Sequence, residues 1–171
     1  YTNFAKRTAI ILTLLLTLGV TTAWAAVYTY DCTSNENFYT NPELTTNPST
    51  GESNAFAENA SFYAEDGACF TVLRASKVYF NSGYLMVGNY QPVLQLPTYA
   101  NEKITKVKFW NSSGCSTSVK VAIKSGSNTA AAQQTWSNQG SSYTYNISET
   151  YQSSTLKLDV ISANAQITKI E

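Results

Sequence analysis

Two runs of strict alternation lie between residues 105 and 124. In the first, Thr105, Val107 and Phe109 share one face while Lys106, Lys108 and Trp110 share the other. In the second, Val119, Val121 and Ile123 alternate with Lys120, Ala122 and Lys124. A period of two residues belongs to a β-strand with one face buried and one wet, so each run predicts such a strand, the two being joined by polar residues 111–116. The pattern leaves open whether the strands pair as a hairpin or face each other across a core, because strands that are neighbours in sequence in a jelly roll often lie in opposite sheets. Val107, Phe109, Val119, Val121 and Ile123 point inward either way. Lys106, Lys108, Lys120 and Lys124 make one continuous stripe only if the strands pair.

The same signals recur along the chain. Short apolar or alternating runs at 27–30, 70–74, 77–80, 84–87 and 92–96 precede the pair, and runs at 131–137, 143–148, 155–161 and 165–170 follow it. Asn81-Ser82-Gly83, Gly88-Asn89 and Ser125-Gly126-Ser127-Asn128 punctuate them with turn residues. In the stretch 155–161, Leu156, Leu158 and Val160 face one way and Lys157 and Asp159 the other. Residues 31–51 are polar, with Asn-Pro at 41 and 47, and read as extended loop. One stretch breaks the pattern: Phe56, Ala60 and Tyr63 recur at helical spacing between Ser53 and the Glu65-Asp66-Gly67 stop, which predicts a short helix over 53–64. About nine or ten strands with short turns predict an all-β chain, an antiparallel β-sandwich of the jelly-roll kind.

The first 25 residues read differently. Lys6-Arg7, an apolar run over 8–20 and Ala23-Trp24-Ala25 have the layout of a cleaved signal peptide, and the run is shorter than the roughly 20 apolar residues a membrane span requires. Residues 26–68 then read as an N-terminal strand plus a polar loop segment, and 69–171 as the sandwich, expected to continue past residue 171. The expected location is secreted or at the cell surface. A length of 171 residues, 43% of them apolar, suits one such domain.

Composition narrows the chemistry. Eleven basic and eleven acidic residues cancel; without Lys6 and Arg7 the balance is nine against eleven, a net of minus two, so the strongly basic charge of a nucleic-acid-binding chain is absent and no nucleic acid is expected as partner. The absence of histidine removes the commonest general base, the Ser-His and Cys-His nucleophile pairs and most zinc sites. Glu65 and Asp66 are adjacent in a turn, and Glu36, Glu43, Glu52 and Glu58 are scattered through polar chain. Neither arrangement supplies the two facing carboxyls of a glycosidase. A protein without catalytic residues, cofactor or metal is therefore expected; a structural calcium ion held by Asp31, Asp159 or backbone oxygens has no Asp-x-Asp loop to support it. Cys32, Cys69 and Cys115 allow at most one internal disulfide, with three pairings open. A Cys32–Cys69 bridge would close the long polar loop and contribute roughly 3 to 4 kcal/mol. Twelve Tyr, three Trp and seven Phe form a rich aromatic set. Trp110, on the lysine side of its strand, and Trp136, near the Asn138-Gln139-Gly140 turn, are the candidate platforms for stacking on sugar rings, although a tryptophan at a strand end more often lids a core. Lys106, Lys108 and Lys120 are candidate contacts for an anionic ligand.

The segments Tyr79-Phe80-Asn81-Ser82-Gly83-Tyr84-Leu85-Met86-Val87-Gly88, Leu94-Gln95-Leu96-Pro97, Ile104-Thr105-Lys106-Val107, Val119-Lys120-Val121-Ala122-Ile123 and Ala165-Gln166-Ile167-Thr168-Lys169-Ile170 follow in an order that resembles the jelly-roll modules of secreted Bacteroidetes-type proteins. These are similar to carbohydrate-binding and galactose-binding-like domains. The resemblance covers residues 70–171 and implies sandwich fold and export more than it implies a ligand. Thr168-Lys169 stands where such modules often carry an aspartate, so no calcium site follows from it. The implied function is a non-catalytic binding or targeting module, monomeric, with a polysaccharide or cell-surface glycan as partner and no membrane span in the mature protein. The alternatives are a structural spacer or adhesion domain of a larger surface protein, and an accessory domain of a secreted hydrolase or nuclease lying beyond residue 171.

Overall fold

A computed structural model of the chain describes residues 25–75, 77–89 and 91–171. The leader expected over 1–25 lies, but for Ala25, outside the described residues. In chain order the strands are β1 (Tyr30–Asp31), β2 (Phe38–Tyr39), β3 (Ser61–Ala64), β4 (Cys69–Val72), β5 (Tyr79–Asn81), β6 (Tyr84–Val87) and β7 (Gln91–Gln95). They continue with β8 (Lys106–Asn111), β9 (Val119–Ser125), β10 (Asn128–Trp136), β11 (Ser142–Asn146), β12 (Lys157–Ser162) and β13 (Ala165–Ile170). Among the described residues no helix is long and apolar enough to cross a membrane.

The strands form two antiparallel sheets packed face to face. One runs β11-β8-β13-β6-β5, with β1 beside β6 on the same flank of β13; the other runs β10-β9-β12-β7-β4-β3-β2. Four pairings within these sheets are nested: β6 with β13, β7 with β12, β8 with β11 and β9 with β10. That is a long hairpin, β6 to β9 out and β10 to β13 back, rolled up so that its strands are dealt between two sheets, which is the jelly-roll topology.

This topology decides the open question about residues 105–124. β8 lies in one sheet and β9 in the other, so the two runs are not a hairpin. Their inward side chains nevertheless meet the same core: Val107, Phe109, Val119, Val121 and Ile123 are all buried. The connection between them is held by Asn111, itself buried, whose side-chain amide donates to the Asn138 carbonyl at 2.9 Å and whose side-chain oxygen accepts from the Ser141 amide at 2.7 Å.

Three expectations change. Residues 53–64 do not form a helix: a single 3-10 turn spans Glu52–Asn54, and β3 follows. In β3 the alternation sends Phe62 and Ala64 into the core, and Phe56 stacks on Phe62 with ring centroids 5.0 Å apart, so the helical spacing is overridden by tertiary packing. Residues 26–68 are not a segment apart from the sandwich. β1 pairs with β13, β3 with β4, and Phe38 and Phe62 are wholly enclosed beside Phe70 and Phe80. The Cys32–Cys69 bridge is absent, all three cysteines being free thiols. Cys32 is buried next to β1 of one sheet, whereas in β4 of the other sheet Phe70 and Val72 take the inward positions, leaving Cys69 on the outer side.

Candidate ligand-binding site

At one end of the sandwich the chain crosses between the sheets from β7 to β8, and there it leaves a cavity of about 470 Å³. Its floor is apolar: Leu96 just after β7, Ile104 just before β8, Val107 within β8, and Ile170 at the end of β13. The crossing is pinned at both ends, by the Leu96 amide on the Leu156 carbonyl (3.0 Å) and the Ile104 amide on the Gln152 carbonyl (2.8 Å). Between them Asn101 adopts a left-handed conformation at φ 65°, which asparagine tolerates better than most residues, and this turns the loop.

One wall is built from tyrosines. Tyr28 and Tyr30 lie two residues apart on extended chain, and Tyr30 is fixed opposite Ile170 in the sheet. The Tyr28 ring stacks on Tyr99, centroids 4.0 Å apart and planes 17° from parallel. Its hydroxyl donates to Glu102 Oε1 at 2.7 Å. The Tyr30 hydroxyl donates to Asp66 Oδ2 at 3.2 Å and shares a hydrogen bond with the Tyr99 hydroxyl. Asp66 is itself oriented by the Ala68 amide, which donates to its Oδ1 at 2.9 Å. All three phenols are pushed above the ordinary tyrosine range: Tyr28 chiefly by its bond to Glu102, Tyr30 and Tyr99 chiefly by burial. They remain protonated donors at neutral pH.

Tyr28, Tyr99 and Glu102 also form part of a second hollow, of about 580 Å³, which adds Asp66, Cys69 and Gln95. The stacked tyrosines therefore stand between two concavities. Lys103, Lys106 and Lys108 contribute to the lining of the first, and Val27, 70% exposed, adds an apolar rim.

The residues singled out in the sequence are scattered by the fold. Lys106 and Lys108 project from β8 and line the cavity. Trp110, two positions on, is partly exposed on the outer face, but its ring is already engaged: the Lys169 ammonium lies 3.5 Å and the Lys108 ammonium 4.2 Å from its centroid. Lys169 sits opposite Trp110 in the β8–β13 ladder, at a register irregularity after Ile167. A sugar stacking on Trp110 competes with these cations for the ring. Lys120 is on β9, hence on the outer face of the opposite sheet, and the continuous lysine stripe that required the two strands to pair does not form. Trp136 is wholly buried at 0% exposure and cannot act as a platform. It closes the core against Phe109, and Tyr143 stacks on it at 5.4 Å.

Asp31 and Asp159, considered for calcium, belong to different sheets. Asp31 Oδ1 accepts from both the Thr33 amide and hydroxyl. Among the described residues no group of three or more Cys, Asp and Glu side chains is arranged to hold a metal ion. Sequence reasoning missed Tyr28, Tyr30, Asp66, Tyr99 and Glu102. The one local hint is Tyr28-Thr29-Tyr30, which puts two phenols on the same side of a strand; their partners lie 74, 69 and 36 residues away.

No protein family, curated protein or solved structure matches this chain.

Proposed function

We propose that this chain is an exported, non-catalytic binding module that takes a glycan in the end cavity. The observation that carries the reading is the stacked Tyr28–Tyr99 pair beside an apolar floor. A sugar ring presents apolar C–H faces and polar edges, and this site offers aromatic and aliphatic surface next to phenol and carboxylate groups whose orientations are fixed by one another. The volume lies within the roughly 300–1,000 Å³ of small-ligand pockets. The lack of histidine and the protonated phenols, which are poor bases and nucleophiles, favour binding over catalysis. The resemblance of residues 70–171 to secreted carbohydrate-binding modules points the same way.

A glycan array probed with the intact chain and with Tyr99→Ala tests this. Binding by the intact chain that drops about tenfold or more in the variant, with its fold retained by circular dichroism, supports the proposal. No binding to any glycan overturns it and leaves the reading as a spacer or adhesion domain.

A further inference from the structure

We infer that the glycan is acidic, a uronate-bearing oligosaccharide whose carboxylate is met by Lys103 and Lys106 while a ring of the chain rests on the tyrosine wall. The inference rests on the proposed glycan-binding function and adds the charge of the ligand to it.

Five charged residues contribute to the cavity lining: Lys103, Lys106, Lys108, Glu102 and Glu171. Both carboxylates are engaged. Glu102 accepts from the Tyr28 hydroxyl at 2.7 Å, and Glu171 pairs with Lys169 at 3.7 Å. Lys108 is engaged too, its ammonium held over the Trp110 ring. The side chains of Lys103 and Lys106 are exposed and make neither hydrogen bond nor ion pair among the described residues. The two charged side chains of the lining that have no partner of any kind are therefore both positive, and the lining as a whole carries three lysines against two carboxylates.

The placement also suits the chemistry. Lys106 precedes Val107 on β8; Val107 is buried in the floor while Lys106 is exposed, so the lining puts a lysine next to the apolar patch and not inside it. A uronate has this layout: an apolar ring face with a carboxylate at its perimeter. Lysine is a compact, flexible point charge, which suits a carboxylate whose position varies along a sugar chain. A neutral glycan would leave both ammonium groups unused.

The test uses tetramers of galacturonate, mannuronate and hyaluronan, each beside its own carboxyl methyl ester, titrated calorimetrically into the intact chain and into Lys103→Gln/Lys106→Gln. Exposed lysine contacts give the expected size: at low salt at least one acid binds about five- to tenfold tighter than its ester, and the preference shrinks in about 300 mM NaCl. In the double variant, acid and ester bind within about twofold of each other. Esters or other neutral glycans bound as tightly as the acids overturn the inference and leave the binding module standing. A preference for acid that persists undiminished in the double variant also overturns it. Failure of every glycan, acidic and neutral, overturns the binding module itself. Both substitutions are at exposed positions, and a thermal midpoint matching the parent establishes that the variant is folded.

Discussion

The Trp136 indole N–H donates to the Tyr145 hydroxyl at 3.0 Å across the interior, joining β10 of one sheet to β11 of the other. The Tyr145 hydroxyl in turn donates to the Val121 carbonyl at 3.3 Å, so two wholly buried polar side chains satisfy each other and a backbone group. Burial holds the Tyr145 phenol above its ordinary range, which keeps the donated proton in place. Tyr145→Phe preserves the ring but strands the indole N–H, and a buried donor left without a partner costs about 1–3 kcal/mol. Urea unfolding should give a loss in that range with an unchanged slope. A loss below about 0.5 kcal/mol would mean that another group takes up the indole.

Asp159 presents the opposite case. On the outer face of the seven-stranded sheet it is only 7% exposed, and its Oδ1 has no hydrogen-bond partner. Burial raises its pKa above the ordinary 3.8, with Lys124 pulling the other way. The folded chain thus holds this proton more tightly than the unfolded chain does. The stability contributed by the neutral carboxyl is fully present below the unfolded value, declines as pH rises through the raised folded value, and then stays lost. Asp159→Asn should accordingly stabilise the protein at pH 7 and do so less as pH falls toward about 4. Thermal unfolding of both proteins across that range reads this directly; a stability difference independent of pH would refute it.

The cysteines differ in access. Cys32 and Cys115 are buried, and burial pushes both thiols up, whereas Cys69 lies on the outer side of β4. A thiol reagent applied to the native protein should label Cys69 alone, with the other two reacting only after denaturation. Peptide mapping without reductant should recover three thiols, and a Cys32–Cys69 peptide would contradict this arrangement.

Trp110 separates two views of where a ligand sits. If the end cavity is the site, Trp110→Ala leaves glycan affinity within about twofold, whereas Tyr28→Ala and Tyr99→Ala remove most of it. The reverse order of effects would move the site to the outer face of β8. Acrylamide quenching of a Trp24→Phe variant, which keeps these two of the three tryptophans, should distinguish them in advance, since Trp110 is partly exposed and Trp136 is not.

Much of the scaffold is legible in the residues. The runs expected at 84–87 and 165–170 coincide with β6 and β13, and Val107, Phe109, Val119, Val121, Ile123, Leu158 and Val160, expected to point inward, are all buried. The failures share a cause. Phe56, Ala60 and Tyr63 have helical spacing, yet Phe56 and Phe62 are held by each other and by Phe80, contacts invisible to a local pattern. The site was missed for the same reason. Tyr28 and Tyr99 are unremarkable in their own segments, and only the crossing from β7 to β8 brings them into contact.

Alternation along a strand determines which side chains face inward, because successive residues of an extended chain point to opposite sides; that depends on the neighbouring residues alone. Which strands then lie side by side is set by the nested pairing of segments far apart in the chain. Val107 and Val121 were therefore assignable to the core from the sequence. Only the tertiary structure could place Lys106 and Lys120 on opposite surfaces, enclose Trp136 beside Tyr145, and gather Tyr28, Tyr30 and Tyr99 around one cavity.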